Sequence, residues 1–332
     1  MVRTNTRVGP GSGDAAVVRV KGTKRALALA TDGNGRWVFL SPRSGAMDSV
    51  IEAARNVACS GALPIAATNC LNFGNPEKPE VMWQFAEAID GIAEACTALE
   101  IPITGGNVSF YNETLGNAIY PTPVLGVLGL IEDVDNALGS GFRQEGDLIF
   151  LLDAAAIPES ASLSTPESRE IQRREFSSSE YAKTIHGVVA GAPPKIDLAA
   201  EKRLIECLVK LAAERAIVSA HDVSDGGIAV TLAESCFAAD GLSADVHLKG
   251  KNEPTEVALF GERGSRAVVS LGASSIARVN EIAAQCGVQA IHIGRVTRGE
   301  FRVEHNDLSV IRGNLDFFRH AWGESLKRAV EQ

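Results

Sequence analysis

Aromatic residues are scarce in this chain. Phe, Trp and Tyr make up 5% of it, against 45% hydrophobic residues overall and 32 glycines. A composition led by small aliphatic side chains suits closely packed α/β layers better than a β-sandwich. The six cysteines, Cys59, Cys70, Cys96, Cys207, Cys236 and Cys286, show no CxxC pair and no metal-type spacing, which argues against a zinc site or a disulfide framework. Cys59, Cys96 and Cys236 stand in Ala-rich helical contexts and read as small buried hydrophobes in a reducing compartment. Excess basic charge is also lacking. A formal net charge of −9 excludes a general nucleic-acid surface, although phosphates can still be held by backbone amides and bridging cations. No apolar run is long enough to span a bilayer and the N-terminus has no signal-peptide core, so a cytoplasmic protein without membrane partners is expected. Neither a P-loop nor a GxGxxG fingerprint occurs, so any ATP site is of neither the Walker nor the Rossmann kind.

The 332 residues suffice for two domains. Residues 1–13, polar and rich in Gly and Pro, read as a flexible entry. Short apolar runs at 15–20, 26–32 and 37–40 look like strands of one sheet, with TDGNGR at 31–36 as a hairpin turn. Residues 47–62 have helical spacing, with Val50, Ala53, Ala54, Val57 and Ala58 on one face and Gly61 closing the helix. A strand at 63–74, a longer amphipathic helix at 79–100, a strand at 101–104 ending in a glycine turn, and a buried strand at 123–134 complete a first domain over 14–140. Gly, Ser and charge gather at 135–146, and a second domain is expected over 146–332. Its strands fall at 148–153, 242–247, 266–271, 289–296 and 301–305, with a further strand-like stretch at 216–227. Its helices fall at 167–176, 179–190, 198–214, 229–239, 274–286 and 314–330. The order of elements gives an α/β (α+β) fold class with two partly open sheets.

Three stretches hold the polar residues that carry chemistry. In LEIPITGGNVSFYNE (99–113), Gly105 and Gly106 allow close backbone approach to a ligand, and Asn107 and Ser109 can bond a phosphate, a hydrated metal or a polar substrate. In TNCLNFGNPEKPEVMWQF (68–85), Asn69 and Asn72 are polar groups in an apolar segment and need partners when buried. In HDVSDGG (221–227), Asp222 and Asp225 sit at a strand end where they can hold magnesium, and Ser224 can bond a phosphate or a sugar; equally, Ser224 or Asp225 can simply cap the next helix. His221 reads as a satisfied strand-end histidine rather than a base. Glu52 and Asn56, four residues apart, share a helix face that by itself is adequately explained as solvated, with Asp14 at the start of the first strand. FGERGSR (260–266) reads as a structural ion-pair cluster at a domain edge.

These three long, ungapped motifs resemble the formylglycinamidine ribonucleotide synthases, ATP-dependent amidotransferases of purine biosynthesis, in the second half of their synthase subunit. The likeness runs from about Asp14 to residue 320. It implies an aminoimidazole ribonucleotide synthetase-like pair of domains, a barrel-forming N-terminal domain followed by a C-terminal α/β domain. In such enzymes the first domains of the two halves close a shared barrel with two pseudo-equivalent clefts, one for the chemistry and one, in large fused relatives, for a bound structural nucleotide. The resemblance places Asn69 and Gly106 on ATP, Asn107 on magnesium and Ser109 on substrate in the working cleft. It places Asp14, Glu52, Asn56 and Asp222 on metal in the auxiliary cleft, and Ser224 on that cleft's nucleotide.

The family's catalytic histidine belongs to the first half, in a turn whose counterpart here is TDGNGR, which has no histidine. No catalytic residue is therefore expected in this chain, which reads as a piece of a longer enzyme or as a separately encoded half. The implied reaction activates the amide oxygen of formylglycinamide ribonucleotide with ATP, after which ammonia displaces phosphate and leaves the amidine. No Cys-His glutaminase motif is present, so the implied partners are the N-terminal half, a glutaminase subunit and a small bridging subunit, with Mg2+ and ATP/ADP as cofactors. Isolated, the chain is expected to be inactive and to form a homodimer through its barrel surface. Two other readings stand beside this one. One is a non-catalytic nucleotide-binding scaffold. The other is another enzyme of the superfamily, such as a selenophosphate synthetase or a thiamine-phosphate kinase, although residues 1–30 lack the glycine-rich Lys or Cys motif of those enzymes.

Overall fold

The computed structural model describes residues 5–155, 165–250 and 253–331; residues 1–4 of the expected entry segment lie outside them. The first sheet is built from β1 (Thr6–Val8), β2 (Ala16–Arg19), β3 (Ala26–Asp32), β4 (Leu63–Asn72) and β5 (Ile103–Ser109). A small hairpin, β6 (Glu113–Thr114) and β7 (Asn117–Ala118), then precedes the sheet's sixth strand, β8 (Thr122–Ile131). The spatial order is β1-β2-β3-β8-β4-β5, antiparallel except for the β4–β5 edge pair. Residues 6–8 thus belong to the sheet rather than to a flexible entry, because β1 pairs with β2.

One face of this sheet is covered by helices and the other is bare. β3 shows why: Ala26, Ala28 and Ala30 turn inward while Leu27 and Leu29 stay exposed. The inward alanines leave room for α2 (Pro42–Cys59), whose Val50, Ala53, Ala54, Val57 and Ala58 form the apolar stripe foreseen in the sequence. The helix begins at Pro42, ahead of residue 47, since proline at the first helical position sacrifices no hydrogen bond. Alongside lies α3 (Pro79–Leu99), so close that Gly91 faces the Arg43 backbone.

Residues 31–36 do not form a hairpin, and 37–40 are not a strand. β3 ends at Asp32, and Asn34 accepts a 3.0 Å bond from the Trp37 N–H to cap a short helix, α1 (Gly35–Leu40). Ser41 then closes α1 and opens α2. Residues 105 and 106 are likewise not a turn, because both glycines lie within β5, paired with β4.

The second sheet comprises β9 (Leu148–Asp153), β10 (Ser219–Asp222), β11 (Ser243–Leu248), β12 (Arg266–Leu271), β13 (Gln289–Thr297), β14 (Glu300–His305) and β15 (Leu308–Asn314), in the order β10-β12-β9-β13-β11-β14-β15. Its helices are α4 (Pro166–Phe176), α5 (Glu180–His186), α6 (Leu198–Ala213), α7 (Gly227–Phe237), α8 (Thr255–Phe260), α9 (Ile276–Cys286) and α10 (Leu315–Val330). A single buried cluster runs from Ala53 and Val57 on α2 to Leu204, Leu208 and Leu211 on α6 and Val269 on β12, so the two sheets share a core. Each such Val or Leu contributes about 1.5–3 kcal/mol when fully buried. No helix among the described residues is long and apolar enough to cross a membrane. All six cysteines are free; Cys70 is exposed and the other five are buried.

Candidate functional site

The residues singled out in sequence gather at two places. The first is the open edge of the first sheet. Parallel pairing sets Asn69 opposite Gly106, Cys70 opposite Asn107 and Asn72 opposite Ser109. A Cβ at residue 106 would lie 2.1 Å from Asn69 Oδ1, so glycine is what allows the Asn69 amide to lie across β5. Asn69 and Gly106 share one face, and Asn107 and Ser109 share the other with Cys70 and Asn72. That second face is the bare one, because Thr122 on β8 stands opposite Asn72 and continues the row of Leu128 and Leu130. Asn107 Nδ2 lies 3.9 Å from Cys70 Sγ, and Ser109 Oγ lies 3.3 Å from Asn112 Oδ1.

The second place is the seam between the two sheets. Asp14, just ahead of β2, accepts the Asp222 N–H at 2.8 Å through Oδ2, while its Oδ1 lies 2.7 Å from His221 Nδ1. His221 Nε2 in turn lies 3.1 Å from Glu234, which also accepts the Trp322 indole N–H. From α2, Arg55 enters the seam 1% exposed and donates to Asp222 at 3.2 Å and Glu201 at 3.0 Å, with Glu52 at 3.9 Å. Glu201 also accepts both the N–H and the hydroxyl of Ser265. Ser224 donates to Asp222 at 3.3 Å. Asn56 is half-buried one turn beyond Glu52 on the same helix. Neither Ser224 nor Asp225 caps α7; Gly226 does, in a left-handed conformation, with its N–H donated to Glu262.

Two domain models agree with this architecture: the AIR synthase related protein N-terminal domain matches residues 12–131, and the corresponding C-terminal domain matches residues 144–306. The chain belongs to the AIR synthase related family. It is 46% identical over 326 residues to the phosphoribosylformylglycinamidine synthase subunit PurL of Moorella thermoacetica, covering 98% of this chain and 42% of that protein. Among solved structures it resembles Thermotoga maritima PurL complexed with ADP, with a TM-score of 0.74 at 19% identity over 96% of this chain and 48% of that one. T. maritima PurL complexed with FGAR gives a TM-score of 0.73 at 19% identity over 96% and 50%. A chain of a HypE–HypF complex gives 0.60 at 14% identity, over 91% and 93%. These structural likenesses establish the AIR synthase related fold, and the chain spans about half the length of its PurL relatives.

Within this AIR synthase related fold the seam carries an excess of negative charge. Asp14, Asp32, Asp48, Glu52, Glu201 and Asp222 gather around Arg55 and His221, with Arg263 also acting on Glu201. Burial pushes Asp222 up to about 6, with Arg55 opposing and Asp14 reinforcing the shift. Burial likewise pushes Asp32 up to about 7, and it holds Asp48 and Glu52 well above the carboxylate range. For His221 burial acts the other way, but Asp14 outweighs it, aided by Glu234 and Asp222, and the imidazole is held well above its usual value. The donor set is all carboxylate apart from His221, and Asp32 Oδ2 is buried without a partner, so the residues fit a hard divalent cation.

Sequence reading missed Asp32, Asp48, Arg55 and Glu201. Arg55 is the hub of the seam, yet in sequence it is one more charge on a helix, and only the packing of α2 against α6 and β10 reveals it. The one available signal was spacing: Asp48, Glu52 and Arg55 recur at helical intervals that put them on one side of α2. None of the nine residues singled out lines the cavity of about 920 Å³ beside Glu262, Arg263 and Arg266. Charges there are paired locally: Arg263 grips Asp153, and His247 lies 2.9 Å from Glu304.

Proposed function

We propose that this chain is half of the synthase component of a phosphoribosylformylglycinamidine synthase, an ATP-dependent C–N ligase that turns formylglycinamide ribonucleotide and ammonia from glutamine into the amidine in purine biosynthesis. The observation that carries this reading is the seam, where Asp14, Glu52 and Asp222 converge from three distant segments with negative charge in excess. The PurL name of the Moorella relative and the complexes of T. maritima PurL with ADP and with FGAR support the same reading. Asn69 and Gly106 serve ATP, Asn107 serves magnesium and Ser109 serves substrate at the sheet edge. Asp14, Glu52, Asn56 and Asp222 hold magnesium at the seam, with Ser224 on the phosphates of a second nucleotide. Magnesium bound there would offset phosphate charge.

Asn107 and Ser109 point from the same bare face as Leu27, Leu29, Leu128 and Leu130, so the molecule that covers the leucines also completes the working cleft. In this reading that molecule is the N-terminal half, which brings the catalytic base. A glutaminase and a small bridging subunit deliver ammonia, in the cytoplasm. Alone, the chain makes no amidine, and adding the matching half restores synthesis.

Calorimetric titration of Mg-ADP and Mg-ATP into the chain, beside the Asp222→Asn variant, tests the seam. Magnesium-dependent binding that weakens in the variant is expected. No binding to a folded chain removes the nucleotide site from this half. The scaffold reading shares this binding result and parts from the ligase reading once the other half is added, because a scaffold leaves ATP unconsumed.

A further inference from the structure

Five of the six cysteines are buried, and two of them meet where α6 runs against the end of α9. Arg203, Cys207 and Lys210 follow one another along one side of α6 at helical spacing. The outer two bracket the last turn of α9. Lys210 Nζ donates to Cys286 Sγ at 3.8 Å, and a Cβ on Gly287, which caps α9, would lie 3.3 Å from Arg203 Cδ. Cys207, held between these two contacts, hydrogen-bonds through its thiol to Cys286.

A core cysteine is adequately explained as a small apolar filler, and Cys207, at 0% exposed, fits that description. Cys286 does not. It is 7% exposed and flanked by two exposed residues, Lys210 and Gly287, so its sulfur lies at the rim of the core with an ammonium beside it. A cation next to a sulfur favours the thiolate, which is the form that reacts. Burial, and then the adjacent Cys286, pushes the Cys207 thiol up to about 12, so Cys207 keeps its proton and is not the first of the pair to react. A thiol at the rim with a second thiol directly behind it is the arrangement in which oxidation ends in a disulfide rather than in an irreversible acid.

We propose that Cys286, with Lys210 beside it, is a peroxide-sensitive modification site and that Cys207 is its resolving partner. The Cys286 thiolate attacks one oxygen of hydrogen peroxide: a sulfur–oxygen bond forms, the O–O bond breaks, and the departing hydroxide takes a proton from solvent. The sulfenic acid then condenses with the Cys207 thiol: an S–S bond forms, the S–O bond breaks, and the hydroxyl leaves with the thiol proton as water. Peroxide gains the electron pair that the two thiols lose. In a reducing compartment, exchange with a small thiol returns the pair to its starting state, so the bond is transient. While it lasts, it ties the end of α9 to the helix that carries Glu201. Neither a nucleotide, a metal nor another half of an enzyme enters this inference, so it stands apart from the functional reading.

Hydrogen peroxide itself serves as the probe. The full chain is oxidised at neutral pH, its remaining thiols are alkylated after denaturation, and the digest is read by mass spectrometry. The expected product is a peptide pair joining Cys207 to Cys286, lighter by about 2 Da than the two thiol peptides together and restored to them by dithiothreitol. Lys210→Met is expected to slow its formation by at least about threefold, because the cation beside the sulfur is gone. Cys207→Ala is expected to stop at the sulfenic acid, which dimedone then labels at Cys286. Cys207→Ser carries the same test if the alanine variant fails to fold, and the wild-type peptide map needs no variant. Recovery of Cys207 and Cys286 as free thiols, with oxidation confined to the exposed Cys70, overturns the proposal. So does a Cys207–Cys286 bond that forms as fast in the urea-unfolded chain as in the folded one, and so does a rate in Lys210→Met equal to that of wild type.

Discussion

Glu262 accepts two backbone N–H groups, from Glu180 at 2.8 Å and Gly226 at 2.9 Å, through one carboxylate oxygen. The other oxygen lies 3.8 Å from Arg36 Nη2, beyond hydrogen-bond reach. Burial, with Asp225 adding to it, pushes the carboxyl up to about 7 from 4.5. Between those values the folded chain holds a proton that the unfolded chain has released, so stability falls as pH rises through this window. Glu262→Gln keeps an acceptor for both N–H groups and cannot ionise. Relative to wild type, its urea-unfolding free energy should therefore rise by up to about 3 kcal/mol on going from below pH 4.5 to above pH 7. A difference that stays flat with pH would show that Glu262 ionises as an ordinary surface glutamate does. Asp222 and Ser224 stood out in the sequence because a motif marked them, and the fold places both at the seam, where Ser224 donates to Asp222. Glu262 belonged to a stretch that reads as a structural ion-pair cluster at a domain edge, and only its bond to the Gly226 N–H makes it an anchor for the start of α7.

Helices α2 and α3 meet where Gly91 faces the Arg43 carbonyl, 2.1 Å from where a Cβ would stand. Alanine gains about 0.5–1 kcal/mol over glycine in a helix, but here the obstacle is backbone and cannot swing aside. Gly91→Ala should lower the unfolding free energy by about 1–3 kcal/mol, the range for overpacking. A more stable variant would mean that the two helices separate freely. Elements with strong periodicity were legible in the sequence: strands 148–153 and 266–271 match β9 and β12 end to end. Elements defined by their caps or turns were not. α1 depends on the Asn34 cap, and a polar turn between apolar runs looks the same before a strand as before a helix. β15 was missed although its signal was present. Asn306 and Asp307 take φ of +52° and +64°, the two left-handed residues of a tight hairpin, and residues that tolerate that region mark such turns. α8, with six residues, is too short to display a helical period.

Across the whole molecule, the bare face of the first sheet decides how the chain behaves in solution. Leu27 is 38% exposed, Leu29 49% and Leu63 50%, and the cross-strand register sets Leu130 opposite Leu27 and Leu63, and Leu128 opposite Leu29. A contiguous apolar surface of this kind marks an interface. The chain should sediment as a homodimer at micromolar concentration, and Leu29→Glu should make it a monomer while changing monomer stability by no more than about 0.5 kcal/mol. Sedimentation of wild type as a monomer would contradict this. The motifs pointed to the sheet edge and to Asp222, and the family resemblance gathered Asp14, Glu52, Asn56 and Asp222 at one cleft, but the parts of the seam made by Asp32, Asp48, Arg55 and Glu201 were not legible. Its members come from residues 14, 32, 48–56, 201 and 222, and nothing local in sequence tells that a fold will bring them together.

Arg55 also gives the seam an order in time. The residue that neutralises it, Glu201, lies 146 positions later in the chain, and Asp222 lies later still. At about 5–20 residues per second of synthesis, α2 leaves the ribosome roughly 7–30 s before α6 exists to receive it. During that interval Arg55 has neither Glu201 nor Asp222 to pair with. The ion pairs that close the seam can therefore form only after residues 201 and 222 have been translated, although every strand of the first sheet is already present by residue 131.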